Sequence, residues 1–586
     1  MLNIAVVQFR PAKGAYRENL ERLGEIFREA AALDPIPDLL ILPESALTGY
    51  FLEGGVAELA LSADELLADM TEQHSGSGAP PLDVSIGFYE VWRNRLYNSA
   101  LYCTLGGPDA GIRHVHRKVF LPTYGVFDEE RFVEAGSNVT AFDTAWGRVA
   151  MMICEDVWHS IMPTLAALDG AQLLIVPSAT PARGLQPEDN GGLPANLERW
   201  DRLAQTISEE HGVYLTMAQL VGFEGGKAFA GGSIVTDPRG EIIARGPVFD
   251  EALLSVSLDF DEITRARAEA PLLAGLEMKW PHLMASASVQ GDTVTPRSPP
   301  RARAGAGRGA RNNERDPLAI DPELTRRWLV EFLRDEIRRH RGFDKAVIGL
   351  SGGVDSSLVA FLAAEALGPE NVVGIRMPYR TSSDESLQHA QLVADQLGIE
   401  VRTVDISGGV DSLVTAIGGD TTPTRRGNIM ARMRMITLFD LSAALTALPV
   451  GTGNKTERLF GYFTWHADDS PPVNPIGDLF KSQVWQLARH MKVPDAIVDK
   501  PASADLIHGQ TDESDLGISY PKADAILHRL LSGYRVQDVV ELGFEAGEVE
   551  LVRDRLESTH WKRRLPTVAM VSQTAIGEYY LRPVDY

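Results

Sequence analysis

Cysteine is nearly absent: Cys103 and Cys154 are the only two in 586 residues. One pair cannot staple a chain this long, so a disulfide scaffold of the secreted kind is excluded, and free thiols suit a reducing cytosol. Basic residues are in deficit, 56 Lys and Arg against 80 Asp and Glu, for a formal charge of −24. Nucleic-acid backbones are held by surplus positive charge, so a general nucleic-acid grip is not expected. No apolar run reaches membrane length, and Met1-Leu2-Asn3-Ile4-Ala5-Val6-Val7 reads as a first strand rather than a signal peptide. No membrane partner is expected; a cytoplasmic protein acting on small molecules is.

The chain has the balance of a globular protein, 44% hydrophobic and 23% charged, and its length exceeds what one core organises. Residues 285–318, with Gly291, Pro296, Pro299, Pro300 and a string of Arg, Ala and Gly, offer no apolar face and read as a flexible linker. The arginines Arg301, Arg303, Arg308 and Arg311 read as linker solvation rather than as a nucleic-acid tail. Two domains are thus expected, over residues 1–275 and 319–586.

Before the linker, strand-like runs (Asn3 to Gln8, Asp38 to Leu42, Val149 to Cys154, Leu173 to Val176, Val213 to Met217) alternate with helical stretches, which argues α/β. Asp237-Pro238-Arg239-Gly240 has turn chemistry and predicts a hairpin between Gly232–Thr236 and Glu241–Ala244. After the linker, Asp321 is a good N-cap with Pro322 at the first helical position. Strands ending at Leu350, Ile375, Ile406 and Val450, separated by helix-length segments, predict a doubly wound parallel sheet with ligands at the strands' C-terminal ends.

The first of those strands, Ala346 to Leu350, runs straight into Ser351-Gly352-Gly353-Val354-Asp355-Ser356-Ser357 and then a helix-forming stretch. Free N–H groups on a Gly-rich turn, together with a helix N-terminus, make a concave positive site for phosphate oxygens. The hydroxyls of Ser351, Ser356 and Ser357 add donors, and Asp355 can hold magnesium. There is no lysine of the Gly-x4-Gly-Lys-Ser/Thr kind. The pattern resembles the PP-loop ATP pyrophosphatases, which cleave ATP between the α- and β-phosphates and leave an AMP-activated substrate. A near copy, Ser407-Gly408-Gly409-Val410-Asp411-Ser412, is read as a decoy, because Gly418-Gly419 cuts short the helix after it.

Downstream stand Gly451-Thr452-Gly453-Asn454-Lys455-Thr456-Glu457, then Asn474-Pro475-Ile476-Gly477-Asp478-Leu479-Phe480-Lys481. Lys500-Pro501-Ala502-Ser503-Ala504-Asp505-Leu506 and Gly509-Gln510-Thr511-Asp512-Glu513 follow. These motifs in this order resemble the NAD synthetase family over roughly residues 320–586. The resemblance implies adenylation of the nicotinate carboxylate of deamido-NAD by ATP with Mg2+, then attack of ammonia on the acyl-adenylate. It implies an ATP site at Gly349, Ser351, Gly352, Gly353, Val354, Asp355, Ser356, Ser357, Thr452, Lys481 and Ser503, and magnesium ligands Asp355 and Glu457. Arg432 and Lys562 match positions that contact deamido-NAD. The departures gather around that substrate: Trp465 where lysine is frequent, Pro472 where an acid is expected, and Trp561 in place of a common histidine.

In the first half, Leu42-Pro43-Glu44 ends a strand-like run with a carboxylate, His116-Arg117-Lys118-Val119-Phe120-Leu121-Pro122 presents a lysine, and Met151-Met152-Ile153-Cys154 ends another run with a thiol. Glu, Lys and Cys in this order resemble the nitrilase superfamily over roughly residues 1–270. A thiol of pKa about 8.5 is mostly protonated at neutral pH and needs a base and a cation to become a nucleophile. The resemblance implies Cys154 as nucleophile, Glu44 as base, Lys118 as oxyanion stabiliser and Glu129 as the carboxylate that orients the lysine. Tyr124 and Thr180 resemble glutamine-contacting positions; Thr180 stands where serine is usual, and the basic residue expected just after it is missing unless Arg183 substitutes.

Together the resemblances imply an α/β protein: a nitrilase-like αββα sandwich followed by a doubly wound PP-loop domain of the adenine nucleotide α-hydrolase kind. Its expected activity is ATP-dependent amidation of deamido-NAD with ammonia released from glutamine. Ammonia is protonated in water at neutral pH, so an enclosed passage is expected, and large assemblies are usual in such families, so a homo-oligomer is expected. One rival is an ammonia-dependent synthetase whose nitrilase-like half only assembles; another is a different adenylating PP-loop enzyme, including one that thiolates or amidates RNA, which the acidic charge disfavours.

Overall fold

The computed structural model describes residues 1–52, 55–186, 192–291, 316–503 and 511–564. They form two compact units, with Met1–Gly184 in the first and the residues from 316 onward in the second. No helix among the described residues is long and apolar enough to cross a membrane.

The first unit begins with β1 (Leu2–Gln8), β2 (Leu39–Ile41), β3 (Leu82–Trp92), β4 (Arg95–Leu105) and β5 (Gly111–Arg117). It continues with β6 (Ala141–Asp143), β7 (Arg148–Met151), β8 (Leu173–Ser178) and β9 (Tyr214–Gln219). The hairpin β10 (Val221–Glu224) and β11 (Lys227–Ala230) precedes β12 (Ile234–Thr236), β13 (Ile242–Arg245) and β14 (Ala252–Leu258). One sheet runs in the order β14-β1-β2-β3-β4-β5 and a second in the order β13-β12-β9-β8-β7-β6. Strand alternation assigns the faces. Ile4 and Val6 of β1 join Leu174, Leu215 and Ile234 in the core between the sheets. Ala5 and Val7 face the other way, onto Leu20, Leu23 and Phe27 of the helix Tyr16–Ala31 and Leu66 and Met70 of the helix Ala63–Ser77. The helix Ala195–His211 covers the second sheet with Trp200, Ala204 and Ile207. The result is a four-layer αββα sandwich.

The expected hairpin is present, β12 pairing antiparallel with β13. The long hairpin β3–β4 turns at Arg93 and Asn94, both at positive φ (51° and 60°), a conformation usually announced by Asn-Gly and not announced here. The helix Leu272–Gly291 takes in the first seven residues of the expected linker, and the stretch 292–315 lies outside the described residues.

The second unit holds β15 (Lys345–Gly349), β16 (Val372–Arg376), β17 (Glu400–Thr403) and β18 (Ala447–Val450), all parallel, in the order β17-β16-β15-β18. Ala346 and Ile348 pack on one side with the helices Val354–Leu367 and Lys481–His490, while Val347 packs on the other with Leu438 of the helix Pro423–Leu445. Helices on both faces make the sheet doubly wound. The strand order reverses between β15 and β18, so the turns that follow those two strands face a crevice where ligands bind in such sheets. Asp321 caps the helix Pro322–Arg334, its side chain accepting the Leu324 N–H at 2.9 Å. Strand β17 stops at Thr403, short of the expected Ile406, because Asp405 accepts the Ser407 N–H and opens a helix. That helix, Ser407–Ile417, contains the whole echo motif, so its glycines lie inside a helix and make no phosphate loop.

Candidate functional site

In the first unit, Glu44 follows β2, Lys118 follows β5, and Cys154 opens a 3-10 turn after β7. Glu44 and Lys118 therefore hang from one sheet and Cys154 from the other. Lys118 is fully buried, with its Nζ 2.7 Å from Glu44 Oε1 and 2.7 Å from Glu129 Oε2. Asn98, which sequence reading missed, donates to Glu44 Oε1 at 2.8 Å and to Glu129 Oε1 at 2.5 Å, separating the two carboxylates. Burial alone would lower the Lys118 pKa, but Glu129 and Glu44 outweigh it and hold the ammonium firmly charged. Burial, reinforced by Glu44, pushes Glu129 up to about 7, against the pull of Lys118.

Cys154 sits at φ 45°, a left-handed turn that costs a β-carbon residue about 1–2 kcal/mol and aims the thiol off the strand end. Burial, and then Glu44, raise its pKa well above the ordinary thiol value, while Lys118 and the Ala179 N–H pull it down. The resting group is a thiol, and the second oxygen of Glu44, buried and without a hydrogen-bond partner among the described residues, is a ready proton acceptor. The backbone crowds this carboxylate from behind: a Cβ on Gly87 would stand 2.5 Å from Glu44 Cα.

Thr180, next to Ala179, is buried and its hydroxyl has no partner among the described residues, which leaves it available to a ligand at the thiol. Tyr124 is 59% exposed, standing at the rim, and its hydroxyl donates to Glu155 at 2.8 Å. The Arg183 guanidinium lies against Gly125, where an added Cβ would meet it at 3.4 Å, so this cation borders Tyr124.

In the second unit, Gly349, Ser351 to Ser356, Thr452, Glu457, Lys481 and Ser503 line one cavity of about 470 Å3. Ser357 is outside that lining; its hydroxyl donates to the Gly353 carbonyl at 2.8 Å and so holds the turn. Lys481 is 1% exposed and ion-paired with Asp355, with Glu457 Oε1 at 3.6 Å. Burial, and then Asp355, push Glu457 up to about 8. For Lys481 burial acts downward, but Asp355 and Glu457 prevail and raise it. Asn454 donates to Asp355 at 3.0 Å, and the fully buried Asp524 accepts from the hydroxyls of Thr456 and Ser482 and the N–H of Ser482, anchoring both helix starts that carry Glu457 and Lys481. Asp512, Arg434 and Asp468 also line the cavity.

Arg432 and Lys562 are not in the lining. Arg432 donates to the Trp465 carbonyl at 3.1 Å, and Lys562 to the carbonyls of Gly461 and Phe463 at 2.8 and 3.0 Å. Both brace the segment Gly461–Trp465, whose Phe463 reaches the cavity. The departures Trp465 and Trp561 are neighbours, their rings edge to face at 5.1 Å. Ala504, Asp505, Leu506, Gly509 and Gln510 lie outside the described residues.

Gly352 has φ 77°, and a Cβ there would lie 2.2 Å from the Ser386 carbonyl oxygen. Under the activity that the sequence resemblances imply, Gly352→Ala is expected to displace the turn and cut turnover at least about 100-fold with either nitrogen donor, since a shift near 1 Å costs that much. Steady-state rates with each donor test this; a rate within threefold of wild type refutes it.

Residues 3–268 match the carbon-nitrogen hydrolase family and residues 325–566 the NAD synthase family. The chain is similar to the glutamine-dependent NAD(+) synthetase of Thermotoga maritima, 31% identical over 599 aligned residues spanning 100% of this chain and 98% of the relative. Its second half is 48% identical to the NH(3)-dependent NAD(+) synthetase of Trichlorobacter lovleyi over 270 residues, 46% of this chain and 98% of that protein. Its fold is similar to that of a glutamine-dependent NAD+ synthetase from Acinetobacter baumannii, solved with ADP, at TM-score 0.70 and 23% identity over 100% of this chain and 98% of that one. Because the likeness to the Thermotoga maritima protein runs from end to end and takes in both units in the same order, this chain belongs to the glutamine-dependent NAD(+) synthetase family.

Proposed function

We propose that the chain amidates deamido-NAD to NAD(+) at the expense of ATP, with the nitrogen released from glutamine in the first unit. Glu44 takes the Cys154 proton as sulfur attacks the carboxamide carbon, and Lys118 stabilises the developing oxyanion. The same Glu44 returns the proton to the departing ammonia. The glutamyl thioester is then hydrolysed to glutamate. Glu129 keeps Lys118 charged and in place, and Thr180 and Tyr124 border the bound amide. The observation that carries this reading over an ammonia-only synthetase is the fully buried Lys118 held between two carboxylates beside a buried thiol. An assembly module has no use for that costly arrangement.

In the second unit, the nicotinate carboxylate attacks the α-phosphorus of ATP and pyrophosphate leaves. Ammonia then adds to the acyl carbon and AMP departs. The Ser351–Ser356 turn presents N–H and hydroxyl donors to the phosphates, and Lys481 offsets their growing charge. Arg432 and Lys562 hold the Gly461–Trp465 segment against deamido-NAD. Asp355 and Glu457 converge on one cation, Lys481, and Asp512 lines the same cavity. Asp355 and Glu457 are the residues that would hold Mg2+, a hard cation suited to carboxylate oxygens. When bound there it would draw electron density from the phosphate oxygens.

Glu457, held at about 8, is mostly protonated at neutral pH in the free protein and must ionise to accept a cation. Binding of MgATP at pH 7 is therefore expected to release up to about one proton, the amount shrinking as pH rises through 8. Calorimetry in two buffers of different ionisation heat measures it, and proton uptake contradicts the assignment.

AMP and pyrophosphate formation, followed with and without deamido-NAD, tests the reading as a whole. Formation is expected only with deamido-NAD, matched mole for mole by glutamate when glutamine is the donor. Pyrophosphate release indifferent to deamido-NAD removes the assignment.

A further inference from the structure

Asp156 is fully buried, two residues beyond Cys154, and its carboxylate gathers four hydrogen bonds. Oδ2 accepts the Ile153 N–H at 3.0 Å and faces His116 Nε2 at 2.9 Å; Oδ1 accepts the N–H groups of Val119 and Phe120, each at 2.9 Å. Three of these donors are backbone groups, of the residue before Cys154 and the two residues after Lys118, and the fourth is a side chain two residues before Lys118. Cys154 hangs from the second sheet and Lys118 from the first, and among the described residues the two sheets share no backbone ladder, only the single bridge of Phe9 with Leu220 at the ends of the strands β1 and β9. Around Cys154 and Lys118 the separation of the sheets is left to side-chain packing, a soft constraint for a reaction in which a misplacement near 1 Å is costly.

We propose that Asp156 is the positioning residue of the amidase site, one carboxylate bracing the nucleophile turn of one sheet against the lysine turn of the other. It also holds the left-handed Cys154: the Asp156 N–H donates back to the Ile153 carbonyl at 3.0 Å, so the turn is closed from both sides. A carboxylate suits the post because, ionised, it offers acceptors only, and all four partners can donate. His116, itself buried, serves as the fourth donor through Nε2–H. Asp156 acts through Cys154 and Lys118 without touching the substrate.

The inference rests on the reading of Cys154 as nucleophile, so Cys154→Ala belongs in the same series. If that variant retains glutamine-supported synthesis, the nucleophile reading falls. Asp156→Asn keeps one oxygen for Val119 and Phe120 but turns an NH2 toward the Ile153 N–H and toward His116, so the brace fails at Oδ2 while the backbone bonds beside Lys118 remain. Its kcat with glutamine is expected to fall about 100-fold, with KM for glutamine within about threefold and ammonium-supported synthesis unchanged. Iodoacetamide labelling of Cys154, corrected with the Cys154→Ala variant, is expected to change in rate as well. Asp156→Glu, which restores charge at the wrong length, is expected not to rescue. Unchanged glutamine kcat in Asp156→Asn, rescue by Asp156→Glu, or equal loss with ammonium would each overturn the proposal. Should Asp156→Asn not fold, His116→Gln decides: a fall of at least about fivefold with glutamine alone supports it, and an unaltered rate refutes it.

Discussion

Cys154→Ala is expected to abolish glutamine-supported NAD(+) synthesis, by on the order of 10⁴-fold or more, and to leave ammonium-supported synthesis at the wild-type rate. The first effect follows because Glu44 and Lys118 have nothing to activate once the sulfur is gone. The second follows because the ATP cavity is built wholly from residues of the second unit. Alanine removes one buried atom from a site with 6% exposure, a minor loss of packing. Rates with glutamine and with ammonium chloride, on protein whose melting is checked, provide the measurement. Equal loss with both donors in a folded variant contradicts the division of labour.

Lys481→Met is expected to reduce synthesis with glutamine and with ammonium alike, by on the order of 10²–10³-fold, the usual consequence of deleting one charge that faces a transition state. Methionine fills the stem of the lysine and leaves Asp355 and Glu457 facing each other without their shared cation. Glu457, already up at about 8 through burial and Asp355, then moves higher still, so the carboxylate pair ionises only at more alkaline pH. The residual activity is expected to rise with pH between 7 and 9 more steeply than in the wild type. A variant with wild-type kcat, or one impaired with a single nitrogen donor, excludes Lys481 from the phosphate chemistry. Adenylate formation, read as pyrophosphate release, isolates the step.

The motif residues legible in the chain are those at strand ends. Glu44 and Cys154 each terminate an apolar run, as do Ser351 and Thr452, while Lys118 follows a mixed strand, and the structure brings each set together. Side chains that act by bridging were not legible. Asn98 lies inside β4, Asp156 reads as one acid among many, and Asp524 belongs to a helix far along the chain; each matters through partners 31 to 68 residues away. Arg432 and Lys562 carry the family's pattern yet turn to backbone carbonyls of Gly461–Trp465, and a pattern of letters records no direction. The pairing of Trp465 with Trp561 was equally hidden, since two departures 96 positions apart reveal their contact only once folded.

Local physics settled much in advance. Short apolar runs alternating with helical stretches, Gly-rich turns, the Asp321 cap and the parallel strand pattern follow from backbone sterics and burial within a few residues, which the chain carries wherever it goes. The third dimension alone decided which ends meet. The reversal of strand order around β15 sets the Ser351 turn beside Thr452, and the stacking of two sheets with no shared ladder sets a thiol on one against a lysine on the other. Such meetings depend on how layers pack, a sum over many side chains, and no single stretch of residues contains it.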